Sequence, residues 1–258
     1  MEEMKFAVVA SEKDEAGKNI FKYIHENFPM LNHYLIREDT IYAENIDKTL
    51  LKNYDFIIFA SKHASEKKVK AFSIHAPGNW HKAELGGKNE TVCKTSALFM
   101  KHIFQILNKN NYLRDYHTTL ECTHHGPYIE KPCLFIEIGS SEKEWKDAKA
   151  GEIIAKTIAE AIKTQEKIKK QDWSPCLIIG GGHYNQAANK IMLRTNYAVG
   201  HICPKYMLEY LDENLINEAI NKTIPKPEII LLDWKGLGQY KQKVKDLLEK
   251  MGLKYQRI

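Results

Sequence analysis

The chain lacks any apolar run approaching the roughly 18 residues that a membrane span requires, so no membrane class is indicated. Its opening residues, MEEMKFAVVAS, have no basic region, long apolar region or cleavage site of a secretory signal; a cytoplasmic location is expected. Cysteine is scarce: five residues, odd in number and without paired spacing, fit reduced thiols better than a disulfide framework. Charge is balanced to a formal net of +5, which permits a polyanionic partner without requiring one. Several signatures are also missing. There is no Walker A loop, no GxGxxG, no CxxC, no HExxH and no GxSxG, so neither a P-loop, a dinucleotide fingerprint nor a serine nucleophile elbow is present. No repeat or low-complexity tract appears.

What is present is an alternation of β-branched runs with amphipathic segments, the pattern of an α/β protein. Lys5–Ala10, Tyr54–Ala60, Ala71–His75, Cys176–Gly180, Tyr197–Ile202 and Glu228–Trp234 read as strands, and two more bracket the stretch TLECTHHGPY. Helices are expected over Asp14–Asn27, Thr95–Asn108, Gln186–Arg194 and Tyr240–Met251. The run Glu142–Lys170 reads as one long helix with a basic second half. The expected fold is a mixed, largely parallel sheet with helices on both faces. A single domain over residues 1–258 is expected, leaving room for an N-terminal lobe of residues 1–70 against which residues 228–258 pack.

Histidine carries the strongest pattern among the 11 present. His75, His124, His125, His183 and His201 all stand where a strand is expected to end, and in α/β sheets loops at such ends converge on ligands. The candidate site is therefore assembled from distant segments. Imidazoles beside Glu121, Cys122 and Glu137 suit either zinc or acid/base chemistry. Adjacent side chains on a strand diverge, so His124 and His125 can share a site only if the chain turns there, and Gly126-Pro127 makes a turn plausible. The Gly180-Gly181-Gly182 run allows close backbone approach, and its amides are candidates for binding an anion or oxyanion.

As a set, SIHAPGNW with the following AELGG, LECTHHGP, CLFIEIGSSEKEW, GGGHY and GHICPKY resemble the archaeal and plant D-aminoacyl-tRNA deacylase family, with similarity running from KFAVVAS to LDWKGL. The matching positions are Ser73-Ile74-His75, Gly78-Asn79, Glu121, His124 to Pro127, Glu137 and Gly180 to Tyr184. The chain departs from the family in having Asn185-Gln186 where Ala-Pro is expected. The resemblance implies hydrolysis of the ester joining a D-amino acid to tRNA, dependence on zinc, and a fold akin to phosphorylases and peptidyl-tRNA hydrolases.

For an aminoacyl ester a positioned water suffices, activated by histidine or zinc. His75, His124, His125, Glu137 and His183 are the catalytic candidates; His75, Glu121, His124, His125 and His183 are the candidate metal ligands. Lys163, Lys167 and Lys170, with Lys190 and Arg194, are candidates for tRNA phosphates. Asn79, Gly181 and Gly182 are candidate substrate contacts, and Trp80 and Tyr184 are candidate platforms for the terminal base. The expected partner is tRNA charged with a D-amino acid, bound by a monomer. The rival readings are a zinc exopeptidase, a nucleoside-type hydrolase and a non-catalytic tRNA-binding protein.

Overall fold

The computed structural model describes residues 4–65 and 69–258. In the first half of the chain the strands are β1 (Phe6–Ser11), β2 (His33–Ile36), β3 (Phe56–Ala64), β4 (Ala71–His75), the short β5 (Gly78–Asn79), β6 (Thr91–Val92) and β7 (Thr95–Ser96), then β8 (His117–Leu120) and β9 (Cys133–Ser140). Helices α1 (Glu15–Asn27) and α2 (Ala97–Asn110) lie between them. The second half supplies α3 (Glu142–Trp145), α4 (Ala148–Lys163), β10 (Ser174–Ile179), α5 (Gln186–Arg194), β11 (Tyr197–Cys203), α6 (Glu213–Lys222), β12 (Thr223–Ile224), β13 (Ile229–Leu232), α7 (Lys241–Lys250) and β14 (Tyr255–Arg257).

Two sheets result. The larger runs in the order β2-β1-β3-β9-β4-β8 and the smaller in the order β11-β10-β13-β14. Pairings within both are parallel except β4 with β9, which is antiparallel. Alternation along the strands divides the core. Phe6, Val8 and Ala10 face α1, α2 and α4, whereas Ala7 and Val9 meet Ala43, Ile46 and Leu51 on the other side. Helix α2 also covers one face of the smaller sheet with α5, and α6 and α7 cover the opposite face through Leu215, Ile216, Val244 and Leu248. The mixed, largely parallel architecture is as expected. Residues 228–258 complete the smaller sheet through β13 and β14; among the described residues they pair with no strand of residues 1–70.

The long helix expected over Glu142–Lys170 is interrupted. Asp147 caps α4 by accepting the Lys149 amide, and the Asn19 side chain donates to the carbonyls of Trp145 and Asp147 at 2.9 and 2.8 Å, so the turn between α3 and α4 has its own partners. Beyond Lys163 the basic segment is a 3-10 helix, Gln165–Lys170, begun after Thr164 turns its hydroxyl onto the Glu160 carbonyl. Periodicity cannot register either break, because apolar spacing continues across both.

Inside α2, the side chain of Lys101 is fully buried and its ammonium donates to the carbonyls of Met192, Thr195 and Tyr197 at 2.7–2.9 Å. These carbonyls belong to the end of α5 and the start of β11, so one lysine ties the two sheets together.

Candidate functional site

The site begins as a polar continuation of a hydrophobic sheet face. Along β3, Phe59, Ser61 and His63 share one face, and their partners on β9 are Phe135, Glu137 and Gly139. Across β9 on the other side, Ser73 of β4 pairs with Glu137 and His75 with Phe135. Glu137 is thus buried between two serines, accepting from Ser61 at 2.8 Å and from Ser73 at 3.4 Å. Gly139 leaves room for His63: a Cβ there would stand 2.9 Å from the imidazole. His75 lies parallel to the Phe135 ring with centroids 5.2 Å apart. It stands at the carboxyl end of β4, which is antiparallel to β9 but parallel to β8, so it meets the loop after β8 at the shared end of that parallel pair.

The segment after β8 brings the next residues. The Glu121 amide continues the ladder to the Ile74 carbonyl, the Cys122 amide bonds to His183, and Thr123 bonds to Ile202. His125 then takes a φ of 43°, a left-handed conformation that costs a non-glycine residue about 1–3 kcal/mol. The expected turn is therefore present, and the rings of His124 and His125 come within 4.3 Å instead of diverging. Their loop is braced from behind by Asn79, whose side chain donates to the carbonyls of Gly86 and Lys88, while the neighbouring Leu85 carbonyl accepts the Gly126 amide.

Glu121 is the electrostatic centre. Its carboxylate lies 3.0 Å from His63 Nδ1, 3.0 Å from His183 Nε2 and 3.4 Å from His124 Nε2. Burial opposes ionisation of Glu121, but the hydrogen bonds from His183 and His63 prevail and hold its carboxyl well below the usual carboxylate range. Burial likewise opposes charge on His63, yet Glu121 and Glu137 raise its pKa; for His183, Cys122 and Glu121 outweigh burial and push it up to about 10. His124 and His125 behave in the opposite way. Desolvation, reinforced by His75, lowers both, His125 to about 4. Within one cluster the two imidazoles on Glu121 are thus shifted toward the charged form and His124 and His125 toward the neutral one.

His75, His124 and His125 have a common arrangement. Nδ1 of each faces a backbone carbonyl, of Ala76, Cys122 and Gly126 respectively, at 3.2, 2.9 and 2.6 Å. That fixes the proton on Nδ1 and leaves Nε2 with a free lone pair. Nε2 of His75 is buried without a hydrogen-bond partner. The ligand atoms of these three histidines lie within 4.8 Å of one another, as do those of Cys122 with His124 and His183, of His63 with Glu121 and His183, and of His75 with Glu121 and Glu137. Groups able to hold a metal ion are thus present.

The cluster opens into a cavity of about 390 Å³ lined by Asp14, Asp39, Ile41, Lys62, Leu85 and residues of the cluster itself. The Tyr184 hydroxyl lies 2.6 Å from Nε2 of His63, a residue of the cavity lining. His63 escaped the sequence reading because the apolar run stops at Ala60, although β3 continues to Ala64. The available signal was the period-2 continuation Phe59-Ser61-His63.

Other expectations fail on geometry. Trp80 is buried and donates its indole N–H to the Ile202 carbonyl, so it offers no face to a base. His201 is fully buried against Thr123 and stays outside the cluster. The amides of Gly180 and Gly181 donate to the carbonyls of Cys203 and Gly236, which leaves neither for an anion. Asn185 caps α5 and donates to the Gly180 carbonyl, a role that explains an asparagine at this departure from the family pattern. The basic segment lies far from the cavity. The Gln165 side chain donates to the Met4 carbonyl, just before β1, whereas the cavity opens beyond the carboxyl ends of β1 and β3. Lys190 and Arg194 sit on α5 as it leads away from His183. All five cysteines are free and buried, and no described helix is long and apolar enough to cross a membrane.

Residues 50–256 match the model of the D-aminoacyl-tRNA deacylase family. A D-aminoacyl-tRNA deacylase of Pyrococcus furiosus is 36% identical, over 96% of this chain and 98% of its own. Those of Archaeoglobus fulgidus and Methanocaldococcus jannaschii are 35% and 34% identical, covering 92% and 99% of this chain and 90% and 100% of theirs. A crystal structure of a conserved protein of unknown function superposes with a TM-score of 0.90 at 32% identity, over 100% of this chain and 96% of that one. The chain belongs to the D-aminoacyl-tRNA deacylase family.

Proposed function

We infer that the chain hydrolyses the ester bond of D-aminoacyl-tRNA, releasing free D-amino acid and tRNA. Beyond family membership, one observation carries the reading: His75, His124 and His125, each with Nδ1 on a backbone carbonyl, converge on the Glu121–His63–His183 group, and His124, His125, His63 and His183 line one cavity. An exopeptidase or a nucleoside-type hydrolase has no comparable support, and a purely binding protein has no use for an unpartnered buried nitrogen.

Zinc is the proposed cofactor, with His75, His124 and His125 as its ligands; the donor set suits it, and the orphaned Nε2 of His75 gives that set a purpose. When bound, zinc supplies a Lewis acid that lowers the pKa of water to about 7. Glu137, fixed by Ser61 and Ser73, places its carboxyl 3.8 Å from His75 Nε2. His183, cationic and partly exposed, is positioned by Glu121 to give a proton to the departing ribose oxygen. His63 holds the other oxygen of Glu121 and takes the Tyr184 hydroxyl, so the carboxylate cannot swing away from His183. Water adds to the ester carbonyl and gives up a proton, the bond to the ribose oxygen breaks, the proton from His183 completes the tRNA hydroxyl, and the proton released by the water restores His183 for the next turnover. One chain supplies every residue named, which supports action as a monomer, and a cytoplasmic location follows from the substrate.

The test is hydrolysis of D-tyrosyl-tRNA and L-tyrosyl-tRNA by the purified protein, with metal analysis of the same preparation. Release of tyrosine from the D ester in preference to the L ester is expected. Tight tRNA binding without turnover of the D ester by metal-loaded protein would sink the reading.

A further inference from the structure

A second cavity, of about 680 Å³, is lined by Gly181, Gly182, Lys205, Tyr206, Asp233, Lys235 and their neighbours. Its connection to the active cluster is direct: the Tyr206 hydroxyl lies 3.3 Å from His183 Nδ1 and 3.2 Å from Cys122 Sγ. The first cavity is thus lined by His183 and the second by the tyrosine that contacts it, and the two linings differ in their charged residues. The first is lined by Asp14, Asp39 and Glu137 together with Lys62 and the histidines of the cluster, His63 and His183 among them, and both oxygens of Asp14 accept from backbone amides. In the second, Lys205 and Lys235 face a lone aspartate, Asp233, one oxygen of which is engaged by the Gly236 amide at 2.9 Å.

Lys205 is seated for this role. Its side chain lies over Gly238, whose φ is 58°, and a Cβ there would come within 2.5 Å of the lysine stem and 2.7 Å of Nζ. Just outside the cavity, Arg257 and Lys241 lie over the ring of Trp234 at 3.7 and 5.4 Å, extending the positive surface. Tyr206 is 52% exposed although its hydroxyl is tied inward, which leaves aromatic surface at the cavity wall.

An aminoacyl-tRNA has the matching polarity. Its acyl side carries an ammonium group, its nucleotide side carries phosphates and a base, and the ester stands between them. Resting on the deacylase reading, we propose that the second cavity holds the 3′-terminal nucleotide of tRNA, with Lys205 and Lys235 on its phosphates and Tyr206 against its base, while the D-aminoacyl group enters the first cavity. Phosphate contacts here set the ester over His183. This assignment puts tRNA binding on the smaller sheet's loops, away from Lys163, Lys167 and Lys170.

The experiment compares Lys205→Gln/Lys235→Gln with Lys163→Gln/Lys167→Gln/Lys170→Gln on two substrates, D-tyrosyl-tRNA and D-tyrosyl-adenosine, the latter lacking phosphate. For the double variant, kcat/KM on the tRNA is expected to fall at least ~10-fold more than on the nucleoside ester, through KM, and the salt slope of log KM should shrink by roughly 1.4, the value for two single-strand phosphate contacts. The double variant should also bind the 5′-phosphorylated trinucleotide CCA at least ~10-fold more weakly than wild type, a readout independent of turnover. Equal losses on both substrates, undiminished CCA binding, or a larger KM effect from the triple variant would each overturn the assignment. Failure of wild type to cleave D-tyrosyl-tRNA would instead count against the deacylase reading, and the CCA measurement would still decide the cavity.

Discussion

Glu121 and His183 lie 62 positions apart in the chain, yet the Nε2 of the histidine stands 3.0 Å from the carboxylate. Backbone pairing holds them there, since the Cys122 amide donates to the His183 carbonyl and Glu121 bridges to Tyr184. Their contact joins the loop after β8 in the larger sheet to the loop after β10 in the smaller one. Glu121→Gln removes the charge while keeping the shape. Single-turnover deacylation by this variant should fall by ~10²-fold or more with an unchanged circular dichroism spectrum. A rate within a few-fold of wild type would remove Glu121 from the chemistry.

His63 is expected to matter as much as the histidines legible in sequence. His63→Ala should lower kcat by ~10²-fold, and Tyr184→Phe, which loses only the hydroxyl on His63 Nε2, by a smaller factor of ~10. Measuring both on D-tyrosyl-tRNA under saturation separates the two effects. Equal, negligible losses would leave the pair as structural support only.

Metal content provides a readout separate from activity. His75→Ala, His124→Ala and His125→Ala should each bind less zinc per chain than wild type after equilibrium dialysis, as expected when a ligand is deleted. Chelator treatment of wild type should abolish hydrolysis, with recovery on adding zinc back. Wild-type zinc stoichiometry in all three variants would move the ion to one of the other donor groups around Glu121.

His201 should impose an acid limit on stability. Burial lowers its pKa from 6.5 to about 3 in the folded chain. Above pH 6.5 it is neutral folded or unfolded; below that, the unfolded chain takes up a proton that the folded chain refuses until about pH 3. Its contribution is therefore present above the unfolded pKa and lost on acidification, at a slope of about 1.4 kcal/mol per pH unit. Urea unfolding of wild type and His201→Gln between pH 7 and 5 should show a shallower loss in the variant. Identical slopes would mean that the ring is protonated in the fold.

Lys101→Met keeps the length of the buried stem but removes the donor shared by three carbonyls. Leaving those acceptors unsatisfied should destabilise the chain by about 3 kcal/mol, read as a lower urea midpoint. A midpoint equal to wild type would show that water replaces the ammonium.

Alternation of apolar runs determined the α/β class, and glycine-, proline- and histidine-bearing loop motifs marked the segments that build the site, because both signals are local. His75, His124, His125 and His183 were legible for that reason. Local signals carry no record of which strands pair or in which direction. Only the tertiary structure decided that β4 runs antiparallel to β9 but parallel to β8 and so brings His75 to the loop after β8, that β3 extends past its apolar run to His63, and that Glu121 gathers both. It also decided which polar groups were already engaged: the indole of Trp80 and the amides of Gly180 and Gly181 bond within the protein, as buried polar groups must. The basic run around Lys163–Lys170 read as a binding surface from charge alone, but charge has no address until the sheet gives it one. The Met4 contact of Gln165 puts that run at the amino end of β1, and the cavity opens beyond the carboxyl end.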